Sequence, residues 1–223
     1  MEGATSDRLM DTAERLFGLY GFDGVGMRAL AEEAGVNLGA TTYHYGSKER
    51  LYLETFFRRF RPANLERLEL LRKAEAAAGG RPLPLDTIVD CMVRPPFRTV
   101  LSHPHFAILI ARNLFFPPAF LEMELMREMQ PNIEAFLAAM AKSLPEISPG
   151  LIHLREMFSM GSVLMFAANM GRMFPEVALN PEAFEWALKE LVRFISAGLQ
   201  AKPATASVTG PLEELLAGKR FPS

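Results

Sequence analysis

The sequence predicts an all-α protein, a three-helix head followed by a larger helical body. Three observations carry this. Apolar residues recur with helical period along almost the whole chain, no stretch alternates with period two, and Gly, Pro, Asn and Ser fall where helices should begin and end. Hydrophobic residues make up 49% of the 223 positions and charged residues 22%, enough apolar matter for a core of this length.

The first predicted helix has Ser6 as its N-cap and Asp7 in its first turn, and places Leu9, Ala13, Leu16, Phe17 and Tyr20 on one face. Gly21 ends it. A second runs from about Met27 to Ala34 and stops at Gly35. Asn37 caps a third over about Leu38 to Tyr43. Gly46 breaks the chain, and Ser47 caps a fourth that reaches about Arg61, where Pro62 ends or kinks it. Helical pattern resumes from Ala63 to about Ala78, and Ala-Gly-Gly followed by Arg-Pro-Leu-Pro-Leu reads as a loop. Further helices are expected over about 85–101, 104–115, 118–143, 149–171 and 181–199. Ser148-Pro149 and Asn180-Pro181 each set a capping side chain before a first-turn proline. From Lys202 the chain turns Pro-, Ala- and Thr-rich and reads as a loose tail, with one possible helical turn near Leu212–Leu216. The expected organisation is a head over residues 1–48, a body over 49–201 and a tail over 202–223.

A net charge of -2 argues against a broadly basic, non-specific polyanion binder, yet leaves room for a small head with a few well-placed cations. The lone Cys91 cannot form an intrachain disulfide. No basic segment followed by an apolar run opens the chain. Apolar stretches such as Phe106–Ile110 and Val163–Ala168 are too short to span a bilayer, so a cytoplasmic protein without membrane contact is expected.

The segment LAEEAGVNLGATTYHY reads as a helix-turn-helix. Leu30, Ala31 and Ala34 pack inward, Gly35 permits the turn, Val36 plugs the angle, and Gly39 and Ala40 allow close approach. Thr41, Thr42, Tyr43 and His44 then offer hydroxyls, a ring and an imidazole suited to a major groove and its phosphates. Lys48 begins the fourth helix, whose free N–H groups and partial positive charge suit a phosphate. Of the two tyrosines, Tyr45 is expected to pack inward and Tyr43 to face outward.

Residues 8–53 resemble the DNA-binding domain of the TetR family of repressors, through AERLFGLYGFDG in the first helix, AEEAGVNLGATTYHY across the turn and GSKERLY at the fourth helix. Tyr45 stands where Phe is usual, and Gly26-Met27 where a Thr-rich start is common. The resemblance implies a DNA-contacting set of Arg28, Asn37, Gly39, Thr41, Thr42, Tyr43, His44 and Lys48. It also implies a dimer across a two-fold axis, hence a palindromic operator with half-sites about one helical turn, or a multiple, apart.

The body carries no catalytic, metal or cofactor pattern: His103 and His105 flank Pro104 and face different sides of a helix, while His153 and Cys91 stand alone. Ten of the 13 methionines lie between Met92 and Met173, among many phenylalanines, including Phe115 and Phe116. Either this is a Met-rich core or it lines a mostly apolar cavity for a small apolar or aromatic effector, with Met92, Phe106, Arg112, Met126, Met157 and Met160 as the candidate lining. Arg112, Asn113, Arg155 and Asn169 are polar positions in apolar helices, and any that is buried becomes a candidate anchor. The last two long helices read as the dimer seam, through Met157, Met160, Gly161, Leu164 and Ala168 on one and Phe184, Leu188, Leu191, Ile195 and Leu199 on the other. The expected function is a dimeric repressor released from DNA by its effector. The alternatives are an activator or ligand-independent regulator with the same head, or an all-helical enzyme.

Overall fold

The computed structural model describes residues 2–115 and 117–203, leaving aside the side chains of residues 2–4, 114, 115 and 168. Phe116, the side chains of Phe115 and Ala168, and the turn expected near Leu212–Leu216 lie outside that description. The chain forms α1 (Glu2–Tyr20), α2 (Met27–Ala34), α3 (Leu38–Tyr45), α4 (Lys48–Ala78), α5 (Leu85–Ser102), α6 (Pro104–Phe115), α7 (Ala119–Ser143), α8 (Pro149–Met173), α9 (Pro175–Leu179) and α10 (Pro181–Gln200). There is no strand among the described residues. The protein is all-α, as its periodicity predicts.

Local capping chemistry accounts for four of the helix starts. The Asn37 Oδ1 accepts from the Ala40 N–H at 3.1 Å, and the Ser47 Oγ accepts from the Arg50 N–H at 3.2 Å. Asn180 Oδ1 accepts from the N–H groups of Glu182 and Ala183 at 2.9 and 3.2 Å, and Ser148 Oγ from that of Leu151 at 3.4 Å. Three elements differ from the sequence reading. Ser6 is no cap, since α1 begins four residues earlier at Glu2. Pro62 does not end α4, which runs through it. An interior proline costs about 3 kcal/mol, but Phe57, Phe60, Ala63 and Asn64 are buried on either side and their packing offsets it. The third is α9, a single turn opened by Pro175.

The chain divides into two compact units, residues 1–64 with 96–129, and residues 65–95 with 130–223. In the first, Phe17 and Phe56 are fully buried within an aromatic core. The Phe56 ring lies 5.2 Å from Phe60 and 5.9 Å from Phe106, and Phe17 lies edge-on to Tyr52 at 4.7 Å. Beside this core, Glu14 is buried but satisfied: it accepts from Arg58 at 3.3 Å and from Arg59 at 3.2 Å. Asp11 pairs with the same two arginines.

His103 sits near that cluster. Burial holds its pKa below the ordinary 6.5, with Arg59 and Arg58 adding to the effect and Glu14 and Asp11 opposing it. The fold therefore prefers the neutral ring. Its contribution to stability is present above pH 6.5 and is lost as the pH falls through the folded-state pKa. The melting temperature should drop between about pH 7.5 and about pH 5.5, and the drop should be smaller in His103→Gln. Identical pH profiles for the two proteins would remove His103 from the account.

The second unit is built on Ile88, Val89, Met92, Phe136, Met140, Ile152, Leu188, Ile195 and Leu199, each at most 2% exposed. Within it Arg94 holds Asp90 one turn earlier on α5 and Glu185 of α10, the latter through two contacts of 2.8 Å.

Candidate nucleic-acid interface

Leu30, Ala31 and Ala34 of α2 are buried, as the helix-turn-helix reading requires. Gly35 then adopts φ 64°, left-handed backbone that favours glycine, and donates to the carbonyls of Ala31 and Glu32. The Val36 N–H also reaches the Ala31 carbonyl, at 2.9 Å, which sets the angle between α2 and α3.

The short α3 turns two of its residues inward. Thr41 is 3% exposed, and its hydroxyl donates to the Asn37 carbonyl at 3.0 Å. It is therefore not part of the exposed recognition surface that the sequence suggests. An eight-residue helix must give one face to its neighbour, and Thr41 with Tyr45, four residues on, is that face. Tyr45 is half-buried, and its hydroxyl lies 3.0 Å from the Ser6 hydroxyl of α1. Sequence reading missed this contact, because Ser6 looked like a cap.

Thr42, Tyr43 and His44 face outward. Tyr43 is 86% exposed, with its ring edge-on to His44 at 5.6 Å. Gly39 is also exposed. A Cβ there would stand 3.0 Å from the Asn37 Oδ1, so glycine keeps the capping oxygen accessible. Arg28 is well exposed and pairs with Glu32 one turn on at 3.0 Å. Such a solvent-screened pair holds the guanidinium weakly and leaves its other donors free.

Lys48 has a second attachment that its position in sequence does not announce. Its ammonium donates to the Phe22 carbonyl at 3.2 Å and lies 4.1 Å from the centre of the Phe22 ring. It thus fastens the start of α4 to the turn after α1, with two further donors to spare. The adjacent Glu49 carboxyl is held below the usual carboxylate range by its own backbone N–H, then by Ser47 and Lys48. This end of α4 favours an anion.

On α8 and α10 a set of large apolar side chains lies open. Met157 is 54% exposed, Phe158 65% and Met165 61%, beside an open Gly161. On α10 the open ones are Trp186 and Phe194. This corrects the second half of the expected seam. Phe184, Leu188, Ile195 and Leu199 belong to the unit's own core, and Leu191 is half-buried.

Two family models match the chain. One, described as "Bacterial regulatory proteins, tetR family", covers residues 9–55, and the other, "Tetracyclin repressor-like, C-terminal domain", covers residues 90–198. The chain belongs to the TetR family. Its likeness to the HTH-type transcriptional regulatory protein RaaS of Mycobacterium tuberculosis is 50% identity over 44 residues, 20% of this chain and 20% of RaaS. Solved structures share the fold over most of the chain. A linker-substituted variant of HlyIIR superposes with a TM-score of 0.61 at 19% identity, covering 92% of this chain and 100% of that one. The fatty acid degradation regulator FadR of Bacillus halodurans gives 0.59 at 14%, over 90% and 96%. PfmR of Thermus thermophilus, a TetR family transcriptional regulator, gives 0.56 at 16%, over 87% and 100%.

In this TetR-family regulator the six candidate effector residues divide evenly between the two compact units. Met92 is fully packed core, Met160 is half-buried and Met157 is open, all in the second unit. In the first, Phe106 is packed against Phe56, Met126 is 37% exposed, and Arg112 donates to the Leu19 carbonyl at 3.2 Å. Of the polar positions singled out, only Asn113 is fully buried, and it is satisfied: its oxygen accepts from the Tyr52 hydroxyl at 2.8 Å and its NH₂ donates to the Leu109 carbonyl at 2.7 Å. Arg155 donates to the Leu199 carbonyl at 2.8 Å, and Asn169 to that of Met165 at 2.9 Å.

The buried charge of the second unit was not anticipated. Arg67 is 6% exposed and lies 5.3 Å from the centre of the Phe136 ring. Burial pushes its pKa down to about 10 against the attraction of Glu156, whose own carboxyl burial pushes up. Only its place one helical face along from Asn64 and Leu71, both buried, could have signalled this.

Proposed function

We propose that this protein is a homodimeric repressor that leaves a palindromic operator when a small, largely apolar effector binds its helical body. The observation that carries the DNA half is the outward set Thr42, Tyr43 and His44 on the helix after the turn, with Tyr43 86% exposed. Those groups reach base edges, while Arg28, the α3 start at Asn37 and Gly39, and Lys48 hold phosphates. The open apolar faces of α8 and α10 support the dimer. The Met- and Phe-rich composition of the body supports an apolar or aromatic effector. Its occupancy shifts the population toward heads that no longer match the groove spacing. Such a repressor acts in the cytoplasm, on DNA rather than by catalysis.

Sequencing the DNA fragments retained by the purified protein identifies the operator. On that operator Lys48→Ala should weaken binding to every sequence alike and lower the salt slope by about one unit per lost phosphate contact. Tyr43→Ala should change sequence preference instead. Because Lys48 also holds Phe22, melts of both variants accompany the titrations. Equal, equally salt-dependent binding by wild type and Lys48→Ala would sink the assignment. For the effector, a ligand bound only by the folded state stabilises it by roughly 2.7 kcal/mol at a hundredfold excess over Kd. A screen in which only highly polar compounds shift the melt, with Met160→Glu leaving them unaffected, would overturn the apolar reading.

A further inference from the structure

The first compact unit contains a cavity of about 480 Å³. Its walls come from four places far apart in sequence: the end of α1 and the following turn (Tyr20, Gly21, Phe22), Tyr52 of α4, Arg112 near the end of α6, and Pro118. This volume falls within the range of small-molecule sites, roughly 300–1,000 Å³.

The walls have a definite chemistry. Phe22 and Tyr52 stand edge-on with ring centres 5.3 Å apart, and the Tyr52 hydroxyl donates to Asn113, which also lines the cavity. The lining therefore sets the Phe22 ring and Pro118 beside the polar Asn113 and Arg112. The Arg112 guanidinium is pinned in place: Nη2 donates to the Leu19 carbonyl at 3.2 Å, and a Cβ on Gly21 would stand 3.0 Å from Nη1. Glycine at 21, with φ 75°, is what lets the guanidinium lie against the backbone. Among the described residues no carboxylate pairs with Arg112, so most of its five donors are uncommitted. The exposed Asp23 also lines the cavity and disfavours a second negative charge.

We propose that this cavity binds a small aromatic monocarboxylate, its ring against Phe22 and Pro118 and its carboxylate on the Arg112 guanidinium. A planar fork meeting a carboxylate is the strong, directional form of this contact. The site shares Arg112 with the candidate set named above and none of its methionines. It also reaches the head. Phe22 presents its ring and carbonyl to the Lys48 ammonium, so an occupant resting on Phe22 bears on the residue that fixes the start of α4. Occupancy then changes operator affinity, and operator changes ligand affinity by the same factor. This last step rests on the reading of Lys48 as a phosphate contact; the binding itself does not.

The test titrates 2-naphthoate into the full-length protein without DNA, by calorimetry, with 2-naphthamide as the uncharged counterpart. Naphthoate should bind the wild type and bind Arg112→Gln at least about tenfold more weakly, and naphthamide should be weaker by a similar factor. Ala111→Phe, which fills the cavity and spares Arg112, should abolish the heat. If Arg112→Gln does not fold, Arg112→Lys replaces it, keeping the charge and losing the fork, and the same loss is expected. No naphthoate binding to the wild type, equal binding to the Arg112 variant, or equal affinity for naphthamide would each overturn the site. A separate arm measures operator binding with and without naphthoate. Arg112-dependent naphthoate binding by a protein that retains no DNA leaves the cavity standing and removes the DNA reading. Normal operator binding with no naphthoate bound removes the cavity alone.

Discussion

Phe194→Glu is expected to sediment as a monomer at a micromolar concentration where the wild type sediments as a dimer. Phe194 is 67% exposed in the single chain, and Phe158, Met165 and Trp186 are also open on α8 and α10. Large apolar side chains open to this degree mark an interaction site when they gather on two packed helices. Burying one phenylalanine contributes about 1.5–3 kcal/mol, and a two-fold axis counts each residue twice. Glutamate removes that contribution and adds the cost of desolvating a charge. The dimer should weaken by more than about a hundredfold in Kd. Operator binding should fall with it, because one head then reads one half-site. A dimeric Phe194→Glu, or a monomeric wild type, would sink the proposed interface.

Phe17→Ala should lower unfolding stability by about 3–5 kcal/mol, a large part of the roughly 5–15 kcal/mol available to a domain. Phe17 is fully buried and touches Phe22 and Tyr52, ring to ring. Its removal leaves a cavity beneath the turn that holds Lys48. Leu19, two residues on, is 44% exposed, and Leu19→Ala should cost no more than about 0.5 kcal/mol. Denaturant melts of the two variants, compared at equal m-value, decide the matter. Equal losses would mean that the α1 face has been misassigned.

The helix-turn-helix was legible in the sequence because its determinants are local. Gly35 adopts φ 64°, Asn37 accepts from the N–H three residues on, and Tyr43 projects outward, each as the residue types predict. Thr41 was misread because a threonine on an eight-residue helix serves equally as an inward hydroxyl bonded to the preceding turn or as an outward one. The seam on the last helix was misread for a related reason. α10 carries one apolar stripe, Phe184 with Leu188, Ile195 and Leu199, and two further large apolar residues, Trp186 and Phe194, on its open side. Periodicity finds the stripe and cannot say whether it meets a partner or the rest of its own unit.

By itself, then, the sequence determined the all-α class, the caps at Asn37, Ser47, Ser148 and Asn180, and the turn at Gly35. Each of these depends on hydrogen bonds spanning at most five residues. Only tertiary structure decided that α4 passes through Pro62, that Arg67 is buried, and that Lys48 rests on Phe22. It alone gathered Phe22, Tyr52 and Arg112 around one cavity. Such outcomes depend on which helix faces meet, and burial offsets a proline or a buried charge only when distant segments of the chain supply the packing.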